Sequence, residues 1–198
     1  MRRLKAHWLQ VLVYIAALLP LAVLAWDFAQ GRLTANPIQE ITLRTGTYSL
    51  VLLVLSLACT PINIVFGFKP VLQLRRPLGL YGFMYASLHF LNIIGMDYGF
   101  NFRLLREDVF GKGYIWVGFV ALLVLLPVAI TSTKGWVKRL GKNWKRLHWL
   151  VYLGALLAVG HFLLLVKSDM REPLIYGAIV VLLLIIRLPG VKRVLGKL

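Results

Sequence analysis

Six apolar segments of nearly bilayer-spanning length dominate this sequence of 198 residues, of which 60% are hydrophobic. A helix needs about 20 mostly apolar residues to cross a hydrocarbon core about 30 Å thick, and each segment approaches that length. The sequence therefore predicts an all-α integral membrane protein, a six-transmembrane-helix bundle built as a single domain over 1–198. The predicted spans are roughly 9–26, 46–66, 77–96, 114–130, 147–166 and 174–189.

The distribution of charge predicts how this bundle is oriented. Sixteen of the 23 Lys and Arg residues lie towards the two termini and in the segments 67–76 and 131–146, whereas all seven Asp and Glu residues lie between the other ends of the apolar segments. By the positive-inside rule, both termini and these two loops are cytoplasmic. The net charge of +16 is carried by short clusters between apolar runs, which disfavours nucleic-acid binding.

Other features limit what the chain can contain. The N-terminus is basic like a signal peptide, but its apolar run is long and no small-residue cleavage site follows, which predicts a retained first span. The single cysteine, Cys59, excludes an intramolecular disulfide and a CxxCH haem attachment site, so any haem is held non-covalently. The sequence shows no internal repeat.

Two histidines lie deep inside predicted spans. His89 is about 11 residues into the third segment and His161 about 14 residues into the fifth, roughly 17 Å and 21 Å from the cytoplasmic ends. The third and fifth segments run in the same direction, so both side chains reach similar depth in the outer half of the membrane. Such a pair can ligate one iron from opposite faces, and bis-imidazole ligation suits a low-spin haem that passes electrons.

The small residues around these histidines agree with that interpretation, because they let a flat macrocycle approach. They are Gly79, Gly82 and Ala86 on the third segment, and Gly154, Ala158 and Gly160 on the fifth. In the alternative interpretation, each histidine is a satisfied polar residue bonded to a helix carbonyl or a nearby hydroxyl or amide. Zinc is a weaker metal candidate, since it prefers four ligands. His7, next to Trp8, is expected at the membrane interface.

His148 has no equivalent partner in the sequence. It precedes His161 by 13 residues, roughly 20 Å along the helix and about 140° around it, so the two do not share a face. Arg75 and Arg76 lie at its depth on the third segment. These arginines can bind haem propionates or a flavin phosphate, or they are ordinary positive-inside charges. His148 is accordingly a ligand of a second haem, part of an electron-entry site, or an interfacial residue.

Several stretches resemble a known family. They are LRRPLGLYGFMYASLHF (74–90), the run TSTKGWVKRLGKNWKRLHWLVYLGALLAVGHF (131–162), and the pairs Thr45–Gly46 and Thr60–Pro61. Together they resemble the haem-binding membrane subunits of bacterial periplasmic methionine sulfoxide reductase systems, the MsrQ family, within the ferric-reductase-like transmembrane group. The resemblance covers nearly the whole chain.

The resemblance implies a six-span haem b protein of the bacterial inner membrane that relays electrons to a periplasmic, molybdopterin-containing methionine sulfoxide reductase. It also implies the quinone pool or a cytoplasmic flavin reductase as donor, FMN as a cofactor, and His89, His148 and His161 as the family's histidines. Larger relatives carry two histidines on each of two spans and append a flavin and nicotinamide domain. This chain has one histidine on its third segment and no GxGxxG fingerprint, so hydride chemistry is expected elsewhere.

Three functions therefore stay open. The first is an electron conduit, which is the electron-transfer subunit of an oxidoreductase complex whose substrate-reducing site lies on a partner docked at the loops 27–45, 97–113 and 167–173. The second keeps the haem but makes metal ions or a quinone the acceptor. The third, of another class, is a small proton-coupled transporter or membrane scaffold without haem, whose histidines relay protons.

Overall fold

The computed structural model describes residues 4–195, and these form helices joined by short connections. The helices are α1 (Leu4–Ala29), α2 (Pro37–Phe66), α3 (Arg75–Asn92), α4 (Phe102–Gly111), α5 (Gly113–Ile130), α6 (Lys134–Leu140), α7 (Lys142–Leu147), α8 (Leu150–Leu165), α9 (Arg171–Ile185) and α10 (Pro189–Leu195). A 3₁₀ helix, Lys69–Leu74, leads into α3, and a π-helical turn, Ile93–Asp97, extends it. No strand occurs within this range, so the all-α prediction is confirmed.

Five stretches of this fold are long and apolar enough to cross a membrane. They are Trp8–Ala29, Pro37–Phe66, Lys69–Asp97, Gly113–Ile130 and Lys142–Leu165. The sixth predicted segment, 174–189, forms α9 over Arg171–Ile185, and its 15 residues rise only about 22 Å. The structure therefore supports a multi-pass membrane protein with five clear spans and a shorter sixth apolar helix.

The second span begins nine residues earlier than hydropathy predicted. Asn36 caps α2 by accepting a hydrogen bond from the Gln39 amide, and Pro37 occupies the first turn, where its missing N–H costs nothing. Hydropathy placed the boundary at 46 because Arg44 interrupts the apolar run. In the folded chain the Arg44 guanidinium lies 2.8 Å from Asp27 and 2.6 Å from Glu40, so the helix continues through a paired charge.

A side chain from a neighbouring segment compensates for the proline in α2. Pro61 has no N–H for the Leu57 carbonyl one turn earlier, and Arg187, just beyond α9, donates to that carbonyl instead. This bond agrees with the expectation that a transmembrane proline is tolerated when a neighbour satisfies the freed carbonyl. Elsewhere, the buried Tyr85 hydroxyl links α3 to α1 by donating to the Ala17 carbonyl at 2.7 Å.

The bundle is organised around two closely packed helix pairs, α2 with α3 and α5 with α8. A Cβ built at Gly82 of α3 would lie 3.3 Å from the backbone of Ser49 and Leu53 in α2. A Cβ at Gly154 of α8 would lie only 2.6 Å from the Leu125 side chain in α5. Glycine therefore permits the close approach within each pair.

These contacts correct the role expected for the glycines. Gly82 and Gly154 face partner helices, and Gly79 faces the Ser56 side chain, so none of the three was correctly assigned to a macrocycle. The sequence does not distinguish the two roles, because a closely packed helix and a flat cofactor both require a residue with little or no side chain at the point of contact.

Candidate functional site

The two deep histidines come together between the helix pairs. His89 extends from α3 and His161 from α8, and their ring centroids lie 6.1 Å apart with the ring planes at 81°. A metal held midway between two imidazoles by bonds of about 2 Å places the ring centroids about 6 Å apart. The structure thus brings together the two residues that depth along the helices had paired.

Hydrogen bonds fix the proton on each ring. The Nδ1 atom of His89 lies 2.8 Å from the Thr42 carbonyl of α2, and Nδ1 of His161 lies 2.7 Å from the Tyr114 carbonyl of α5. A carbonyl only accepts, so each Nδ1 carries the hydrogen and each Nε2 keeps its lone pair. Histidines that ligate metals commonly donate their second ring N–H in this way, which fixes the ring and raises its basicity.

A glycine lies directly against each ring. A Cβ at Gly46 of α2 would be 3.1 Å from Nδ1 of His89, and a Cβ at Gly118 of α5 would be 2.7 Å from Nδ1 of His161. In each case the glycine lies one turn after the residue whose carbonyl accepts the bond from the ring: Gly46 follows Thr42, and Gly118 follows Tyr114. The glycine and the carbonyl together form a cradle for the imidazole.

The two cradles form an internal structural repeat. Every element of the first recurs 72 residues later in the second: Thr42 and Tyr114, Gly46 and Gly118, Gly82 and Gly154, and His89 and His161. The expectation of no internal repeat is therefore wrong. Sequence inspection misses the repeat because only isolated histidines and glycines recur, surrounded by interchangeable apolar residues.

The site fits an iron porphyrin with two axial ligands. Two neutral imidazoles, each with a free Nε2, converge from separate helix pairs, and bis-histidine ligation is a normal environment for electron-transferring haem. Within residues 4–195, no three His, Cys, Asp or Glu side chains cluster in a way that could hold a metal ion, which disfavours a structural zinc site.

His148 is not part of this pair. It lies in the turn between α7 and α8, where its ring stacks on Trp144 with centroids 3.9 Å apart and its Nδ1 lies 3.0 Å from the Trp144 carbonyl. Its Nε2 is 3.5 Å from the Ser132 hydroxyl, at the limit of a hydrogen bond. His148 therefore has the same protonation pattern as His89 and His161, but no imidazole opposes it among the described side chains. The side chain of His7 is outside the described part of the chain.

The two arginines differ from each other in their surroundings. The Arg75 guanidinium donates to the Thr60 hydroxyl at 3.1 Å, whereas Arg76 lines a cavity that Lys134 also reaches. Both precede His89 by roughly 20 Å of helix rise, so they do not belong to the His89–His161 site.

Comparison of the sequence with known proteins places the chain in a family. The model of the ferric reductase like transmembrane component matches residues 45–159, which include His89 and end two residues before His161. Three relatives are each named protein-methionine-sulfoxide reductase heme-binding subunit MsrQ. The protein from Rhodospirillum rubrum is 45% identical over 93% of this chain and 89% of its own. Those from Xanthomonas axonopodis pv. citri and Xanthomonas campestris pv. campestris strain 8004 are 46% and 47% identical, over 88% and 87% of this chain and 83% and 82% of theirs. The chain therefore belongs to the MsrQ family of ferric-reductase-like transmembrane proteins.

Proposed function

We propose that this chain is a haem b electron-transfer subunit of the bacterial inner membrane. It passes electrons from the quinone pool or a cytoplasmic flavin reductase to a periplasmic, molybdopterin-containing methionine sulfoxide reductase that repairs oxidised proteins. The observation that carries the proposal is the pairing of His89 and His161, each with Nδ1 on a carbonyl and Nε2 free. The names of the relatives support the same function.

The chain's own residues hold and tune the cofactor. A bis-histidine haem supplies one-electron transfer without an open coordination position for substrate. His89 and His161 would hold the iron through their Nε2 atoms, and the Thr42 and Tyr114 carbonyls orient the two rings and increase their basicity. The bond-breaking reaction on methionine sulfoxide therefore belongs to the partner protein.

Electron flow is proposed to run from the cytoplasmic to the periplasmic side. In this arrangement α9 is the sixth span and both termini are cytoplasmic, in agreement with the sixteen basic residues on that side. His148 either ligates a second haem or forms part of the entry site. Arg75 and Arg76 offer the chemistry for haem propionates or the phosphate of FMN.

The exit is proposed to be the outer surface formed by 27–45, 97–113 and 167–173. Within it, α4 exposes Phe102 and Phe110, whose side chains are 66% and 76% accessible. Large exposed aromatic side chains beside a redox site are suited to docking on another protein or resting on the membrane surface.

The test begins with haem and flavin quantitation on purified full-length protein. We expect a Soret band that sharpens on dithionite reduction, loss of this haem in His89→Ala and His161→Ala, and retention of some haem in His148→Ala. A colourless preparation made with adequate haem supply would contradict the proposal. Equal and complete haem loss in all three variants would contradict the assignment of His89 and His161 as a pair.

A second measurement identifies the acceptor. Reduced protein is mixed with the periplasmic reductase, and reoxidation of the haem is followed spectroscopically. The proposal expects faster reoxidation than in buffer alone. No acceleration by the reductase, together with rapid reoxidation by a ferric chelate or a quinone, would favour a metal or quinone reductase instead.

A further inference from the structure

A cavity of about 590 Å³ lies between α1, α3 and the start of α6, away from the histidine pair. Its polar lining includes Gln10 and Tyr14 of α1, Arg76 of α3 and Lys134 of α6. Leu80 and Met84 of α3 contribute apolar surface. The cavity includes Arg76, which the proposed function offers to a haem propionate or the FMN phosphate, so a ligand bound here competes with that role.

The charges of the cavity select an anion. Among the described residues, Arg76 and Lys134 are the charged side chains of its lining, and neither takes part in an ion pair there. None of the chain's seven acids lines the cavity. A guanidinium beside an ammonium matches a phosphate, because arginine can donate two parallel hydrogen bonds and lysine adds a point charge.

The shape of the cavity selects an amphipathic ligand. Arg76, Leu80 and Met84 are spaced four residues apart and therefore follow one face of α3, over a rise of roughly 12 Å. Tyr14 of α1 also lines the cavity, and its ring pairs with that of Tyr81 of α3 at a centroid distance of 6.0 Å. A ligand in this cavity thus meets positive charge at one end and apolar side chains along its length.

We propose that the cavity binds an anionic phospholipid, with its phosphate diester between Arg76 and Lys134 and an acyl chain along Leu80 and Met84. Basic pockets between transmembrane helices on the cytoplasmic side are suited to such head groups. Leu80 and Met84 give an acyl chain an apolar wall, and FMN, whose phosphate could use the same two cations, is the competing ligand included in the experiment. The bound lipid joins α1 to α3 and to the 131–146 loop, and in this assignment Arg76 holds the lipid phosphate in place of FMN or a haem propionate.

The experiment uses full-length protein in nanodiscs of phosphatidylcholine containing a minor fraction of phosphatidylglycerol. Lipids retained after detergent extraction are counted by native mass spectrometry. We expect enrichment of phosphatidylglycerol on the unmodified protein. In the double variant Arg76→Gln, Lys134→Gln we expect about a 30-fold loss of affinity, equivalent to about 2 kcal/mol, from two charges near the head group.

Two further variants control for charge and folding. The pair Lys138→Gln, Arg193→Gln removes the same charges from the same end of the bundle but outside the cavity, and should retain the lipid. The exchange Arg76→Lys, Lys134→Arg conserves the charge and should also retain it, so a folding defect in the neutral variant leaves the proposal testable.

Three outcomes would overturn the proposal. The first is equal retention of phosphatidylglycerol and phosphatidylcholine by the unmodified protein. The second is equal loss in the cavity variant and the Lys138, Arg193 control. The third is displacement of phosphatidylglycerol by FMN or inorganic phosphate at matched concentration, which would assign the cavity to a soluble phosphate.

Discussion

Substitution of Gly118 by alanine tests the cradle that holds His161. The new Cβ would lie 2.7 Å from Nδ1, 2.9 Å from Cε1 and 3.1 Å from Cγ of that ring. Ordinary van der Waals contact begins near 3.4 Å, so the ring must move by about 0.7 Å or the helices α5 and α8 must separate. Either movement disturbs the 2.7 Å bond from Nδ1 to the Tyr114 carbonyl.

The expected magnitude follows from the overpacking and the lost hydrogen bond. Overpacking a tight site costs about 1–3 kcal/mol, and loss of the partner that orients a metal-ligating histidine weakens metal binding about 10- to 100-fold. We therefore expect haem affinity of Gly118→Ala to fall by about 10- to 100-fold, as measured by haem transfer to an apoprotein acceptor. Gly46→Ala, whose Cβ would be 3.1 Å from Nδ1 of His89, should show a smaller loss.

Gly160→Ala is the matched control. Gly160 lies next to His161 on the same helix, but it faces Val117 of α5, 3.9 Å from its built Cβ, and not the macrocycle that the sequence suggested. Alanine is a better helix former than glycine by about 1 kcal/mol, so all three substitutions share this favourable effect. Haem affinity in Gly118→Ala as high as in Gly160→Ala would refute the cradle, since the clash would then have no consequence for the ligand.

Three further predictions concern the ligand geometry, the charged residue in the bundle and the outer loop. The 81° angle between His89 and His161 predicts a highly anisotropic low-spin electron paramagnetic resonance signal in the oxidised protein, whereas a rhombic signal typical of parallel rings would contradict it. Arg187→Met should lower the free energy of unfolding by about 2 kcal/mol, because the Leu57 carbonyl, which Pro61 leaves without a helix donor, loses its charged donor. Arg187→Lys should restore this stability only in part, because lysine lacks the planar fork of donors. An unchanged thermal melting curve would count against this role. The hydrogen bond from Lys112 lowers the pKa of the Asp108 carboxyl. The ionised carboxylate therefore stabilises the outer loop above the ordinary carboxyl pKa, and this stabilisation is lost as pH falls through the lowered value. Hydrogen exchange of residues 98–112 should report the loss, and Asp108→Asn should abolish the pH dependence.

The histidine pair could be predicted from the sequence because depth is a simple function of position along a straight helix. His89 and His161 lie on segments of the same direction, so counting residues from the cytoplasmic ends was enough to match them. The helix content of α1, α2, α3, α5 and α8 followed from the same hydropathy. Segment ends were less accurate where a charge was paired, as at Arg44.

The cradles could not be predicted, because they depend on how each helix is rotated about its axis. The helices α2 and α5 are apolar nearly all round, and so hydropathy contains no information about which face meets a neighbour. Thr42 and Tyr114 act through backbone carbonyls, which have no side-chain signature. The role of His148 could not be assigned from the sequence for a related reason. Its contacts with Trp144 depend on a break between α7 and α8, and hydropathy does not indicate that break.

The 72-residue repeat has a consequence for the order in which the protein is assembled. During synthesis the hairpin of α2 and α3, which contains both His89 and the Thr42 carbonyl, emerges before α8, which contains His161. A haem that arrives early can find one axial histidine but not both. Stable capture therefore waits for the second hairpin, and a nascent chain truncated before α8 should bind haem only weakly and reversibly.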